Sequence, residues 1–308
     1  MDRRKLLAII LLTISIILLI GTPLWLFTPL GSNIASLDQV DLNGPPLTPL
    51  PFQKVPPARP QAVLTPKGEP DQISASEALL MDADTENILY EKNGEVPVPM
   101  ASTTKIMTAL IAIQWGKLNQ MITVGQDAVA EDAIGSNANL QVGDTLSLKD
   151  LLYALLLPSG DDAAVAIADG VAGSTQNFVA IMNIEAQKLH LFQTHFYDPT
   201  GLDTDLHLNP IPAYEHYTTA YDLVRLARYA MSIPLFAQIV ATPSYPPPPG
   251  AAHGPKPWEN TNTLLETYQG ILGIKTGWTG AAGGCLVFAA KRNGHTLIGV
   301  VLHSTQPA

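Results

Sequence analysis

Ser102 and Lys105 stand three residues apart at the head of a strongly apolar run. Positions i and i+3 share one helix face, so the serine hydroxyl and the lysine amine can meet. A serine hydroxyl is a poor nucleophile until a base removes its proton. A lysine serves as that base only while it is neutral part of the time, which burial or a neighbouring cation favours. A helix N-terminus adds free N–H groups that steady a developing oxyanion. A surface Ser and Lys one turn apart would be the plain alternative. Against it, this pair sits on the most apolar helix of the globular part, where an unpaired lysine is costly. Two further groups follow in the chain. Ser159-Gly160-Asp161 comes 57 residues after Ser102, behind a Leu-Leu-Leu-Pro stretch and ahead of an Ala-rich one. Lys275-Thr276-Gly277 comes 116 residues later and reads as the end of a strand, with Gly277 leaving room for a substrate backbone.

The elements that must position these groups are legible as periodicities. Residues 102–115 read as a helix, and Ile106, Met107, Ala109, Leu110, Ile111 and Ile113 wrap it almost completely, so it should be buried. Further helices are expected over 148–157, 163–171, 175–189 and 219–231. Residues 77–81 and 87–91 flank a polar turn and read as a β-hairpin. Residues 270–276, 284–291 and 295–303 are strand-like, and Arg292-Asn293-Gly294 carries hairpin turn chemistry. Strands, then helices, then strands predict an α+β fold whose N-terminal strands join the C-terminal ones in one antiparallel sheet.

The chain has 308 residues, 17 Lys plus Arg against 27 Asp plus Glu, and a formal net charge of −10. That balance offers no basic surface for phosphates and excludes a nucleic-acid binder. Hydrophobic residues make up 46 %, enough to exclude disorder across the whole chain. The single cysteine, Cys285, excludes an internal disulfide and reads as a small buried apolar residue. The seven histidines show no metal-ligand spacing, and Asp203, Asp205 and His207 read as a solvated loop. Arg3, Arg4 and Lys5 precede 22 uncharged residues, 6–27. As a helix these cover roughly 33 Å, enough for a hydrocarbon core of about 30 Å. Residues 1–27 therefore read as a cytoplasmic tip and membrane anchor, with a cleaved signal peptide as the alternative; both export the remainder. Residues 28–72, with nine prolines between Pro45 and Pro70, read as an extended linker. Residues 73–308 form the globular domain.

The ordered set Ser102-x-x-Lys105, Ser159-x-Asp161 and Lys275-Thr276-Gly277 resembles the three-part signature of penicillin-recognising serine enzymes. The words around it, in 78–85, 101–108, 143–162, 196–202, 216–223 and 273–279, are similar to those of the serine D-alanyl-D-alanine carboxypeptidases, the low-molecular-mass penicillin-binding proteins. The resemblance covers about residues 73–303. It implies a β-lactamase/DD-peptidase-like α+β fold: an antiparallel sheet flanked by helices plus an all-helical subdomain, here behind one N-terminal transmembrane helix. It implies that Ser102 is acylated by the penultimate D-Ala carbonyl of a peptidoglycan stem peptide. Lys105 would be its base, and Ser159 would relay a proton to the leaving amine. Asp161, Lys275, Thr276, Gly277 and Trp278 would line the substrate, with Lys275 keeping the site positive and Thr276 binding the terminal carboxylate. The N–H groups of Ser102 and Trp278 would form the oxyanion hole. β-Lactams would acylate Ser102 as substrate mimics. No cofactor and no metal are expected.

The chain departs from the family pattern at Asp161, where the family usually has Asn. An ionised Asp cannot donate a hydrogen bond, and it favours the protonated form of Lys105. Acylation slower than that of an Asn variant is the expectation. The chain also stops at Ala308, where relatives usually continue into a helix. A D,D-endopeptidase on the same scaffold and a non-catalytic, membrane-tethered wall-peptide or penicillin binder stay open. A β-lactamase does not, since no Glu in a deacylating context is found.

Overall fold

The N-terminal hairpin forms as its alternation predicts: β1 (Ala75–Asp82) pairs antiparallel with β2 (Ile88–Lys92) across the polar turn. The computed structural model describes residues 64–65, 68, 72–130, 135–204, 209–248 and 256–306. The expected membrane segment 6–27 and most of the linker 28–72 lie outside the described residues. All described residues belong to one unit, Leu47–Ala308.

The apolar run after Met100 begins as a 3-10 turn, Ala101–Thr104, and continues as α1 (Lys105–Trp115). Every residue from Thr103 to Ala112 is buried, whereas Ser102 is only half-buried. A short strand pair follows, β3 (Met121–Thr123) with β4 (Thr145–Ser147), and between them the one-turn helix α2 (Gln126–Ala130). Then come α3 (Leu148–Leu156), α4 (Asp161–Ala172) and α5 (Thr175–Lys188). Ser147 and Ser174 cap α3 and α5 by accepting the N–H of Asp150 and Asn177. Helix α6 (Ala220–Met231) starts from Thr219, whose hydroxyl accepts the Asp222 N–H, and α7 (Pro234–Val240) starts on a proline. Among the described residues no single helix is long and apolar enough to cross a membrane.

The C-terminal third supplies the small ribbon β5 (Ser244–Tyr245) and β6 (Trp258–Glu259), the single turn α8 (Leu264–Thr267), and the strands β7 (Ile271–Thr279), β8 (Gly283–Arg292) and β9 (His295–Ser304). The β8–β9 turn is Asn293-Gly294 with φ of +51° and +87°, the left-handed pair that a two-residue hairpin needs. The sheet order is β2-β1-β9-β8-β7, all antiparallel, with β1 against β9 from Ala75↔Ser304 to Asp82↔Leu297. The two ends of the globular chain thus close one sheet, as the strand–helix–strand order predicts.

One expectation changes here. Lys275-Thr276-Gly277 does not end its strand: β7 runs two residues further, so Lys275 lies mid-strand opposite Val287. The two Gly residues at 283 and 284 let β8 start beside Thr279 and Trp278, which extends the ladder past the point where the apolar alternation stops.

Candidate active site

The site lies where the 3-10 turn meets edge strand β7. A methyl group placed on Gly277 would come within 2.9 Å of the Ser102 nitrogen and 3.1 Å of Ala101 Cβ. The glycine that the sequence suggested as room for substrate is therefore what admits the nucleophile's own turn. The neighbouring Gly201 does the same from the opposite side: a Cβ there would sit 2.0 Å from the Ala101 carbonyl oxygen. Held between them, Ala101 takes φ of +49°, a left-handed conformation that costs an alanine about 1 kcal/mol.

Lys105 is fully buried, with its stem inside the core and its Nζ at three acceptors. It donates to Ser102 Oγ at 2.9 Å, to the Thr200 carbonyl at 2.8 Å and to Asp161 Oδ1 at 2.5 Å. Three acceptors around one nitrogen match the three protons of an ammonium. Asp161 is 1 % exposed and forms a buried ion pair with Lys105. Burial pushes its carboxyl up from the usual carboxylate value, against the opposing pull of Lys105. Its second oxygen, Oδ2, has no hydrogen-bond partner among the described residues and is packed against Gly135, where a Cβ would come within 2.1 Å. The carboxylate therefore faces the base and the loop at Gly135. Its backbone N–H bonds the Ser136 carbonyl at 2.8 Å and fixes it there.

Ser159 precedes α4 in a left-handed conformation, φ +68°, with its Oγ buried and without a hydrogen-bond partner among the described residues. Such strain at a polar residue with an unused hydroxyl is a mark of a functional position. On the sheet side Lys275 is 1 % exposed, and its Nζ donates to the Thr276 carbonyl at 2.8 Å. Burial, with the Lys105 charge adding to it, pushes its amine well below the ordinary lysine value. Thr276 Oγ1 lies 2.6 Å from Thr261 Oγ1. Thr261 in turn donates its N–H to the Leu157 carbonyl, so the 256–262 segment stitches β7 to the helical side just behind Ser159. Trp278 is 64 % exposed at the end of the groove.

The structure thus brings Ser102, Lys105 and Asp161 into one hydrogen-bonded cluster, with Ser159 at the entry to α4, Lys275, Thr276 and Gly277 on the facing strand and Trp278 at the rim. Asp203 instead accepts the Ala281 N–H at 2.8 Å, and Asp205 and His207 lie outside the described residues. Cys285 is fully buried and its thiol is pushed up to about 12 by burial, the behaviour of a small core residue. Sequence reasoning missed Thr200, whose carbonyl is a ligand of Lys105. Its only signal was the turn-forming 198–202 stretch, since a backbone oxygen leaves no trace in residue type. It also missed the buried His216, whose Nε2 lies 2.9 Å from Thr104 Oγ1. Burial on its own would raise the Asp198 carboxyl. His216 and the donors Gly201 N–H and Thr200 outweigh it and hold the group below the usual value.

Comparison with known proteins agrees with this geometry. The family model described as D-alanyl-D-alanine carboxypeptidase matches residues 64–306. The D-alanyl-D-alanine carboxypeptidase of Streptomyces sp. (strain K15) is 36 % identical over 247 residues, covering 76 % of this chain and 82 % of that protein. D-alanyl-D-alanine carboxypeptidase DacF of Bacillus subtilis (strain 168) is 34 % identical over 237 residues, 76 % of this chain and 58 % of that longer protein. The crystal structure of the Streptomyces K15 DD-transpeptidase superposes with a TM-score of 0.70 at 36 % identity, over 78 % of this chain and 93 % of that one.

Proposed function

We propose, from the premise that this chain belongs to the D-alanyl-D-alanine carboxypeptidase family, that Ser102 removes the terminal D-Ala from peptidoglycan stem peptides through an acyl-enzyme. The observation that carries the assignment of Ser102 is its 2.9 Å contact with a fully buried lysine, at the one half-buried position of an otherwise buried turn. Once Lys105 has released one proton of its ammonium, its free amine takes the hydroxyl proton as Ser102 Oγ attacks the penultimate D-Ala carbonyl carbon. The carbon–nitrogen bond to the terminal D-Ala breaks, and the proton held on Lys105 reaches the leaving amine through Ser159 Oγ, which receives one proton as it gives one and has no partner of its own among the described residues. Water then attacks the ester carbon and frees Ser102. The N–H groups of Ser102 and Trp278 face the oxyanion, because Gly277 brings β7 against the 3-10 turn. Lys275 and Thr276 receive the terminal carboxylate of the substrate, an anion that offsets the buried lysine charge. Asp161 acts on Lys105, to which one of its oxygens is bound.

We further assign residues 73–308 as the catalytic domain, 28–72 as a proline-rich linker and 6–27 as an anchor in the bacterial cell membrane. The catalytic domain then stands outside the membrane, where its substrate is. The uncharged run 6–27 behind Arg3, Arg4 and Lys5 supports this.

The experiment is intact mass spectrometry of the full chain in detergent after exposure to benzylpenicillin, beside Ser102→Ala. A penicilloyl adduct on the unaltered chain and none on the variant is the expected result. A folded chain that takes no adduct would overturn the reading and favour a non-catalytic binder. Release of free D-Ala from a pentapeptide, compared with cleavage of a cross-linked dimer, separates carboxypeptidase from endopeptidase.

A further inference from the structure

Lys105 reaches Ser102 only because its ammonium is held from three sides, and one of those sides is a loop. The Thr200 carbonyl belongs to the 198–202 turn, which one oxygen of Asp198 organises. Asp198 Oδ1 accepts the Thr200 N–H at 2.6 Å, the Thr200 hydroxyl at 2.8 Å and the Gly201 N–H at 2.7 Å. Thr108 ties the turn to α1 by donating to the Pro199 carbonyl at 2.7 Å. The other oxygen, Oδ2, lies 3.6 Å from His216 Nδ1, beyond hydrogen-bond reach and within ion-pair reach. His216 is 5 % exposed, and its Nδ1 is buried with no hydrogen-bond partner among the described residues. Its Nε2 lies 2.9 Å from the hydroxyl of Thr104, the residue beside Lys105.

We propose that His216 forms with Asp198 a positioning pair, which sets the Thr200 carbonyl under Lys105 and so keeps the amine on Ser102. The Thr104 hydroxyl lies 2.9 Å from both the Ala101 carbonyl and His216 Nε2. The other ring nitrogen, Nδ1, faces the Asp198 carboxylate. Asp203 lines the same small cavity of about 20 Å³, and Lys105 lies across the Thr200 carbonyl. The edge-on ring of Phe196, 6.2 Å away, carries no charge. The pair braces both flanks of the nucleophile turn: His216 through Thr104, and Asp198 through Gly201, which is pressed on the Ala101 carbonyl.

This inference rests on the acyl-transfer reading for its kinetic readout, but the pairing itself is measured independently. In nitrogen NMR of the full chain labelled with ¹⁵N-histidine, Asp198→Asn is expected to shift the His216 Nδ1 resonance. An unmoved resonance overturns the proposal, and this measurement stands even if the chain acylates no substrate. Acylation by a chromogenic cephalosporin is then compared for His216→Gln and Asp198→Asn, each of which keeps hydrogen-bonding capacity. Each variant is expected to lower the acylation rate constant about tenfold with little change in cephalosporin binding. The double variant is expected to be no slower than the worse single one. Unchanged rate constants with a lowered melting temperature, or losses that multiply, would show a merely structural or independent role and overturn the pairing.

Discussion

The two walls of the cleft each bury a lysine, and they bury it differently. On the helical wall Lys105 meets a carboxylate, a carbonyl and a hydroxyl. On the sheet wall Lys275 meets only the carbonyl of its neighbour Thr276 among the described residues. The charges that act on it are another cation, Lys105, and the already committed Asp161. The first wall is electrically closed without substrate. The second leaves a desolvated amine short of an anion, so binding a carboxylate there relieves a cost that the empty protein bears. The same residue type acts as a proton handler on one wall and as an anion receptor on the other, according to what surrounds it.

The most direct way to break that contrast is Lys105→Ala. Acylation by a β-lactam should fall by about a thousandfold or more, as loss of a nucleophile's base does. Stability should fall as well, by about 3–5 kcal/mol, because Asp161 is left buried without its cation. The double variant Lys105→Ala/Asp161→Asn should recover most of the melting temperature and none of the acylation. Recovery of both would remove Lys105 from the chemistry.

Lys275→Met should have an opposite signature. Substrate affinity should drop at least tenfold, read as a raised KM for a D-Ala-D-Ala peptide, while stability rises by about 1–4 kcal/mol. The pH dependence has a definite sign. A lysine whose folded value is depressed binds fewer protons folded than unfolded. The penalty is complete below the folded value and disappears as pH rises toward the ordinary 10.5. Denaturant midpoints of the unaltered chain should therefore increase through that alkaline window, and the Met variant should lack the increase. Equal slopes in both would show that the amine is not strained by burial.

Asp161→Asn probes the closure of the helical wall. Removing the anion should favour the free amine of Lys105, and acylation at neutral pH should speed up about three- to tenfold in stopped-flow. A slower variant would instead assign Asp161 the proton that Lys105 must release. Its neighbour Asp162 supplies the control. That carboxylate is also buried, and it accepts the N–H groups of Ala138, Leu140 and Ala163. Asp162→Asn should therefore reduce stability without the gain in rate.

The smallest effect is expected inside the sheet. Cys285 is fully buried with its thiol pushed up to about 12. Alkylating reagents at neutral pH should leave it unmodified in the folded chain, and Cys285→Ala should keep acylation unchanged. Rapid labelling would mean that this wall opens.

The sequence by itself determined the elements and the reacting groups. The buried helix, the β8–β9 turn at Asn293-Gly294 and the closing of the sheet by both ends follow from periods of 3.6 and 2 and from turn residues. These are local properties of the chain. Ser102 and Lys105 were readable because one helical turn separates them. The tertiary structure decided what their charges do. It set Asp161 on Lys105 across 56 residues and put the Thr200 carbonyl 95 residues away on the same nitrogen. It placed His216 behind Thr104 and turned Gly277 toward the nucleophile instead of toward open space. The physical reason is that proton affinity is set by burial and by neighbours within a few ångströms, and those neighbours come from distant segments. Residue type names a base or an anion receptor as possible; only the packed cleft selects which lysine is which.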